Sequence, residues 1–276
     1  MELTLLGTGT PSPSSVRAGP SQLVQIGDAS LLVDCGSGTC RRLLEAGSGA
    51  KDIDILFVTH MHSDHTIDLA HLLIEGWRMY RNKPIKIIGP TGTKTFVERV
   101  IHAFEVDIKL RHLEERVGSE LMHVEVVEVG HGDAFEGDVW KATAIEVEHG
   151  YVKPALGFVF EEADKKLVIS GDTTPCQAIT DAADRADLLV HELTQARRDS
   201  DPHLIEMENM PDLRRRIIES HTCPHGLGPI VKEADVSKLI LSHLPGQPDE
   251  EWVRETIGST YKGEVVIGQD LLRLSV

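Results

Sequence analysis

A dense cluster of metal-ligating side chains in residues 60–65 constrains this chain more than any other sequence feature. The cluster comprises three imidazoles and one carboxylate, from His60, His62, Asp64 and His65. It follows a compact apolar run, residues 53–58, which has the length and composition of a buried strand. Neutral imidazole nitrogens and carboxylate oxygens are the ligands that bind zinc and related divalent ions. Because four such ligands exceed what one open catalytic metal needs, the cluster predicts a site for two metal ions.

The overall composition is that of a globular protein and excludes several other classes. Hydrophobic residues make up 41% of the 276 positions and charged residues 26%, which excludes collagen-like, disordered and disulfide-scaffold chains. No run approaches roughly 18 consecutive apolar residues, so the sequence predicts no membrane span. The four cysteines show no CxxC spacing and no secretory signal opens the sequence, so we expect a reduced, cytoplasmic protein. The formal net charge of −16 argues against binding nucleic acid through overall charge, although a local basic patch stays compatible with it.

The hydrophobic pattern predicts two groups of strands, each accompanied by helices. Successive strands between residues 122 and 170 favour a second, antiparallel sheet. Neither a solenoid repeat nor a long linker divides the chain, so we expect a single domain over residues 1–276. We therefore predict an α/β fold in which two sheets pack face to face with helices on both outer sides, a four-layer αββα sandwich. The expected strands are 2–6, 21–26, 30–33, 53–58, 85–88, 122–129, 139–148, 156–160, 166–170, 187–190, 236–242 and 265–274, and the expected helices are 39–46, 67–80, 94–104, 176–185, 224–234 and 250–257.

Polar side chains also recur where later predicted strands end. His149 and Asp172 follow two strands of the second group. Glu192 lies just beyond the strand at 187–190, and His243 follows the strand at 236–242. The ends of predicted strands are therefore the places in this chain where candidate functional side chains collect.

The spacing HxHxDH in residues 60–65 resembles the signature of the metallo-β-lactamase-fold hydrolases, and this resemblance covers the whole chain. In that superfamily a further His, a bridging Asp and a last His lie on later strand ends, and His149, Asp172 and His243 match them in order. The resemblance implies two divalent ions, zinc first, with manganese or iron as alternatives. It assigns one ion to His60, His62 and His149, the other to Asp64, His65 and His243, and a bridging role to Asp172.

His131 is the rival of His149 as a ligand, because by spacing alone it could also reach a metal. We prefer His149, which ends a strand-like run and precedes Gly171-Asp172 in the family order. His131 falls instead in a Gly-flanked turn.

Four further motifs resemble the ribonuclease Z branch of this superfamily. They are Leu6-Gly-Thr-Gly-Thr-Pro11, Ser170-Gly-Asp-Thr173, Asp187-Leu-Leu-Val-His-Glu192 and Ser220-His-Thr222. The resemblance implies that Glu192 and His221 act together near the scissile bond, and that Asp64 counts among the catalytic residues. The competing interpretations are a surface carboxylate at a helix start for Glu192 and a residue that merely precedes a helix for His221.

The chain departs from ribonuclease Z in the arm that grips tRNA. Between Phe104 and Val139, where we expect that arm, the chain has only a charged stretch with acidic excess. The segment from Leu193 to Ser220 is interpreted as a lid or, equally, as a plain surface helix over Leu213 to Glu219. Arg17 is a candidate for contacting a substrate anion, although a solvated turn arginine is the better-supported alternative.

These features together predict a dinuclear metal-dependent hydrolase, with a phosphodiester as the first substrate hypothesis. Hydrolysis of a lactone or aryl ester on the same metals is the second hypothesis, since the fold does not choose the substrate. Processing of tRNA 3′ ends is the third. We expect a small anionic or ester substrate, with nucleic acid possible but not favoured, no membrane, and a homodimer as the resemblance permits.

Overall fold

A computed structural model describes residues 1–114, 123–195 and 211–276. The strands in these ranges are β1 (Glu2–Gly7), β2 (Ser21–Ile26), β3 (Ala29–Val33), β4 (Ile55–Phe57), β5 (Ile85–Gly89), β6 (Val124–Glu128), β7 (Ala134–Glu136), β8 (Lys141–His149), β9 (Val152–Glu162), β10 (Lys165–Ile169), β11 (Leu188–Glu192), β12 (Lys238–Ser242), β13 (Glu264–Ile267) and β14 (Arg273–Ser275). The helices are α1 (Thr39–Glu45), α2 (Ser63–Thr66), α3 (Leu69–Arg78), α4 (Thr93–Ala103), α5 (Glu105–Glu114), α6 (Gln177–Ala182), α7 (Pro211–Ser220), α8 (Pro224–Glu233) and α9 (Glu250–Gly258), with a 3₁₀ turn at Ala50–Asp52.

The strands form two mixed sheets. The first has the order β14-β1-β2-β3-β4-β5-β6, and the second has the order β13-β12-β11-β10-β9-β8-β7. Strands β7 to β10 are antiparallel neighbours, as the sequence predicts. Strands β10 to β13 are parallel, because helices α6, α8 and α9 carry the chain back between them.

Two strands lie in a sheet that the sequence pattern did not predict. The strand expected at 122–129 extends the first sheet as β6, parallel to β5, instead of joining the second. The stretch expected as one strand at 265–274 is two, with β13 in the second sheet and β14 paired to β1 in the first. Glu2 is thus the register partner of Ser275. Hydrophobic periodicity sets the face of a strand but not its neighbour, which explains both errors.

Three apolar clusters define four layers. Phe57 of the first sheet packs against Phe158 and Phe160 of the second, with ring centroids 5.0 and 5.4 Å away, and this cluster fills the space between the sheets. A second cluster lies between the first sheet and helices α1, α3 and α4. The third lies between the second sheet and helices α6, α8 and α9. This arrangement confirms the predicted αββα sandwich.

The helices differ from expectation mainly around the ligand segment. The helix expected at 67–80 is present as α3, from Leu69 to Arg78, and a separate short helix, α2, precedes it and includes Asp64 and His65. Helix α5 covers part of the stretch between Phe104 and Val139 that the sequence analysis described only as charged. Helix α7 agrees with the surface helix proposed over 213–219, while residues 196–210 of the proposed lid lie outside the described residues.

In the part of the chain that the structure describes, no helix combines the length and apolar character needed to cross a bilayer.

The packing between the sheets leads to a stability prediction. We expect Phe158→Ala to lower the free energy of unfolding by about 3–5 kcal/mol, because the ring is fully buried between two aromatic neighbours. Tyr151→Ala is the matched control, since Tyr151 is 92% exposed and should change stability by about 0.5 kcal/mol or less. Urea unfolding of both variants tests this, and equal losses would contradict the assigned core.

Candidate metal centre

Strand ends from both sheets bring the predicted ligands together at one edge of the sandwich. Strand β4 delivers the chain into residues 60–65. On the opposite sheet, β8 ends at His149, while Asp172 lies shortly after β10 and His243 directly after β12. All seven predicted metal ligands therefore meet in one place, as the family order of the motifs implies.

Four ligand atoms form a first group and all lie within 4.8 Å of one another. His62 Nδ1 lies 3.0 Å from His60 Nε2 and 3.3 Å from His149 Nε2. Asp172 Oδ2 lies 3.8 Å from each of those two Nε2 atoms. His62 is the exposed member, so the group opens to solvent on that side.

Asp64, His65 and His243 form a second group, of three ligand atoms, which also lie within 4.8 Å of one another. Asp64 Oδ2 lies 3.4 Å from His65 Nε2 and 3.3 Å from His243 Nε2. Asp172 Oδ2 reaches this group as well, at 3.3 Å from His65 Nε2 and 3.4 Å from His243 Nε2. One oxygen of Asp172 therefore faces both groups, which is where a bridging ligand belongs.

Hydrogen bonds on the outer side of the imidazoles determine which nitrogens can bind a cation. His65 Nδ1 donates to Asp34 Oδ2 at 2.7 Å, and His149 Nδ1 donates to the carbonyl of Ser220 at 2.8 Å. The Thr59 hydroxyl donates its single hydrogen to Asp34, so it accepts from His60 Nδ1 at 3.0 Å. In their neutral forms, the three rings therefore direct the lone pair of Nε2 into the site.

These inward lone pairs face carboxylate oxygens, an arrangement that is repulsive unless a positive charge lies between them. Burial lowers the pKa of His60 well below its usual value and also lowers that of His149, so both are neutral at pH 7. Burial opposes protonation of His65 too, yet Asp172 and Asp34 raise its pKa well above the usual value. The donor set and this demand for positive charge fit two divalent cations of the zinc type.

Asp34 is a functional candidate that the sequence analysis missed. It is 2% exposed and accepts hydrogen bonds from the Thr59 amide and hydroxyl as well as from His65. It thereby fixes the orientation of two inward-facing rings, directly for His65 and through Thr59 for His60. The available signal in the sequence is a carboxylate directly after strand β3, in the same kind of position as the other strand-end residues.

Glu192 and His221 lie together beside the two ligand groups. Glu192 is the last residue of β11 and is 3% exposed, which rules out a surface carboxylate. Its Oε1 accepts from His221 Nδ1 at 3.1 Å, from the Thr222 amide at 2.9 Å and from the Thr173 amide at 3.2 Å. Burial would lower the pKa of His221, but the Glu192 carboxylate raises it to about 9. His221 is therefore protonated at neutral pH, and its ring stacks on that of His243.

A cavity of about 480 Å³ opens beside the second ligand group. Its walls include loop residues 10–14, Arg17, Arg41 and Asp64. Arg17 is already engaged within the fold, because its Nη1 donates to the Thr8 hydroxyl at 2.6 Å and to the Gly268 carbonyl at 2.7 Å. A cavity of this volume is typical of sites for small molecules.

His131, the rival ligand, lies away from both groups. It sits in the turn before β7, is exposed, and accepts from the Glu146 amide through Nδ1 at 3.2 Å. It belongs to none of the ligand clusters in the described residues. The preference for His149 thus agrees with the observed geometry.

Comparison with known proteins gives a consistent result. The family model for Anti-Pycsar protein Apyc1 matches residues 1–236. A ribonuclease Z of Mycobacterium sp. (strain KMS) is 37% identical over 284 aligned residues, which cover 100% of this chain and 96% of the relative. The metallo-β-lactamase fold protein YhfI of Bacillus subtilis has a TM-score of 0.75 at 21% identity, covering 99% of this chain and 98% of its own. The short form of human tRNase Z has a TM-score of 0.71 at 23% identity, covering 100% and 99%.

The position of Asp34 leads to a prediction about metal affinity. We expect Asp34→Asn to weaken zinc binding by about 10–100-fold, because the ring of His65 loses the carboxylate that orients it. Isothermal titration with zinc measures the affinity, and elemental analysis should give about two zinc ions per wild-type chain. Asp187→Asn is the control, since Asp187 pairs with Lys165 at the start of β10 and touches no ligand. Unchanged affinity in Asp34→Asn would contradict the orienting role.

Proposed function

This chain belongs to the Anti-Pycsar protein Apyc1 family, among the metallo-β-lactamase-fold hydrolases that include ribonuclease Z, and we propose that it is a dinuclear zinc phosphodiesterase. The observation that carries this proposal is the buried pair of Glu192 and His221 beside two groups of metal-ligating atoms. Manganese or iron is the alternative to zinc. When bound, two divalent cations lower the pKa of a water molecule toward neutrality, position it for attack and stabilise charge on the phosphoryl oxygens.

The predicted ligands would hold the two cations. His60, His62 and His149 would hold one cation and Asp64, His65 and His243 the other, with Asp172 shared. Two divalent charges and the two carboxylates of Asp64 and Asp172 sum to +4 − 2 = +2. A locally positive site of this kind attracts an anionic substrate even though the whole chain has a net charge of −16.

The Glu192–His221 pair supplies the proton that the leaving group needs. Glu192 accepts from Nδ1 of His221, so Nε2 is the nitrogen left to donate a proton to the departing oxygen. Burial lowers the pKa of His221, but the Glu192 carboxylate raises it to about 9, which favours the protonated form that an acid needs. Glu192 then stabilises the ring in its position through the transfer, as a carboxylate does for histidine in other enzymes.

The adjoining cavity favours a small substrate. At about 480 Å³ it accommodates a molecule of nucleotide size, and its hydroxyl-rich loop and arginines suit polar groups. We therefore propose a small phosphodiester, with a nucleotide component, as the substrate class.

Processing of tRNA is the second candidate, supported by the names of the curated relatives. The alignment to the mycobacterial ribonuclease Z is only 284 − 276 = 8 positions longer than this chain. Within the alignment, that relative therefore has no long insertion that this chain lacks. The missing tRNA-gripping arm does not distinguish this chain from the mycobacterial ribonuclease Z. The missing arm was the main support for the prediction that a nucleic-acid substrate is not favoured, and that support is lost.

A substrate panel distinguishes these candidates and the ester alternative. We expect kcat/KM of the zinc-loaded protein to be at least about tenfold higher on a small phosphodiester than on an aryl ester or lactone, a preference of roughly 1.4 kcal/mol in the transition state. Cyclic and linear nucleotide phosphodiesters and a precursor tRNA complete the panel. Preference for the ester or lactone would contradict the phosphodiesterase proposal, and efficient precursor cleavage at physiological salt would replace the small substrate by tRNA.

Removal of the acid tests the role of His221. We expect His221→Ala to lower kcat by roughly 10²–10⁴-fold on phosphodiesters with poor leaving groups, because general-acid catalysis contributes about that much. The loss should be much smaller on bis(nitrophenyl) phosphate, whose leaving group needs no proton. The matched control is His225→Ala, since His225 on α8 packs against Trp252 on α9 and lies in none of the described ligand groups. Equal losses on both substrates would rule out the general-acid assignment.

A further inference from the structure

A small cavity lies between the two sheets, directly beneath the candidate metal ligands. Its volume is about 20 Å³, which is enough for one water molecule and too small for a substrate. It is lined by His65 and Asp172 on the side of the ligands and by Ile169 and Val190 on the side of the core. The cavity therefore separates the site from the apolar layer below it.

Apart from His65 Nε2, which faces the metal ligands, three buried polar atoms of residues that line this cavity have no hydrogen-bond partner among the described residues. They are Gln22 Oε1, Glu192 Oε2 and Ser242 Oγ. Each of these residues is at most 4% exposed. A buried carboxylate oxygen without a donor is strongly unfavourable, so the geometry calls for a molecule that satisfies it.

The positions of these atoms follow from the strands that carry them. Glu192 and Ser242 are register partners on the parallel strands β11 and β12. Gln22 lies on β2 of the opposite sheet. The cavity thus receives one polar group from across the sandwich and two from neighbouring strands.

We propose that one buried water molecule occupies this cavity and positions Glu192, and through it His221, for catalysis. Water has two hydrogens to donate, which match the two acceptors Glu192 Oε2 and Gln22 Oε1, and it can accept the hydrogen of the Ser242 hydroxyl. A single molecule therefore satisfies all three atoms. Gln22 and Ser242 become positioning residues that touch neither substrate nor metal.

This role complements the contacts on the other oxygen of Glu192. Oε1 is held by His221 and by two backbone amides, while Oε2 has no donor in the described part of the chain. With the water in place both oxygens are fixed, so the carboxylate cannot rotate away from His221. The inference rests on the proposed function for its catalytic meaning, but the water site itself does not depend on any substrate.

A crystal structure of the zinc-loaded protein at high resolution tests the water directly. We expect one ordered water within about 3.2 Å of Gln22 Oε1, Glu192 Oε2 and Ser242 Oγ. In Ser242→Ala we expect this water to be lost or displaced and the Glu192 side chain to move or become less ordered. A dry cavity in the wild type would overturn the proposal, as would direct pairing of the three groups with each other.

Kinetics of matched variants test the positioning role. We expect Ser242→Ala and Gln22→Leu each to lower kcat at least about tenfold on a phosphodiester with a poor leaving group, and less than about twofold on bis(nitrophenyl) phosphate. Ser242→Thr keeps the hydroxyl and should restore most of the loss. Ser21→Ala is the control, because its buried hydroxyl bonds the Gly19 carbonyl and does not line the cavity. Equal losses on both substrates, or none in Ser242→Ala, would overturn the positioning role.

The two proposals fail in distinguishable ways. A protein that hydrolyses phosphodiesters but has a dry cavity refutes only the water inference. A protein with the ordered water that hydrolyses no phosphodiester refutes the proposed function and the catalytic role while the water site stands.

Discussion

A carboxylate that is fully buried among imidazole nitrogens needs compensating positive charge, and Asp172 imposes this requirement on the whole site. Its Oδ2 lies within 4.0 Å of nitrogens from five histidines, which come from both sheets and from the segment before α8. Four of these are candidate metal ligands, and the fifth is the candidate acid His221. The two halves of the sandwich are therefore joined at this edge by charge as well as by packing.

The backbone around Asp172 is built to let it reach that position. Gly171 has φ +61°, and a Cβ there would lie 2.4 Å from the Leu156 carbonyl and 3.0 Å from Thr59 Cβ. Any other residue would be strained and would push the two sheets apart at the site. The same Leu156 donates its amide hydrogen to the Thr59 carbonyl, which directly links strand β9 to the ligand segment. Fold and site are thus constrained by the same few backbone contacts.

Much of the site could be predicted because its ligands are encoded locally. The HxHxDH segment and the polar residues at strand ends are visible in the sequence, and the four-layer fold follows from the strand and helix pattern. Asp34 and the Gln22–Ser242 pair could not be found that way, since each acts across space on residues far along the chain. The sheet membership of β6 and β14 was also hidden, because a strand's pattern does not specify its neighbour. The substrate could not be predicted from the sequence either. The cavity that would bind it is lined largely by loop residues, whose arrangement the sequence pattern does not specify.

The pairing of β14 with β1 has a consequence for how the protein is made. Strand β1 is synthesised about 270 residues before its outer neighbour, which follows the entire second sheet. During that interval β1 is an open edge with unpaired backbone groups, and such edges promote association between chains. The first sheet can close only once the second is available, so nascent chains depend on late, long-range contacts that form slowly.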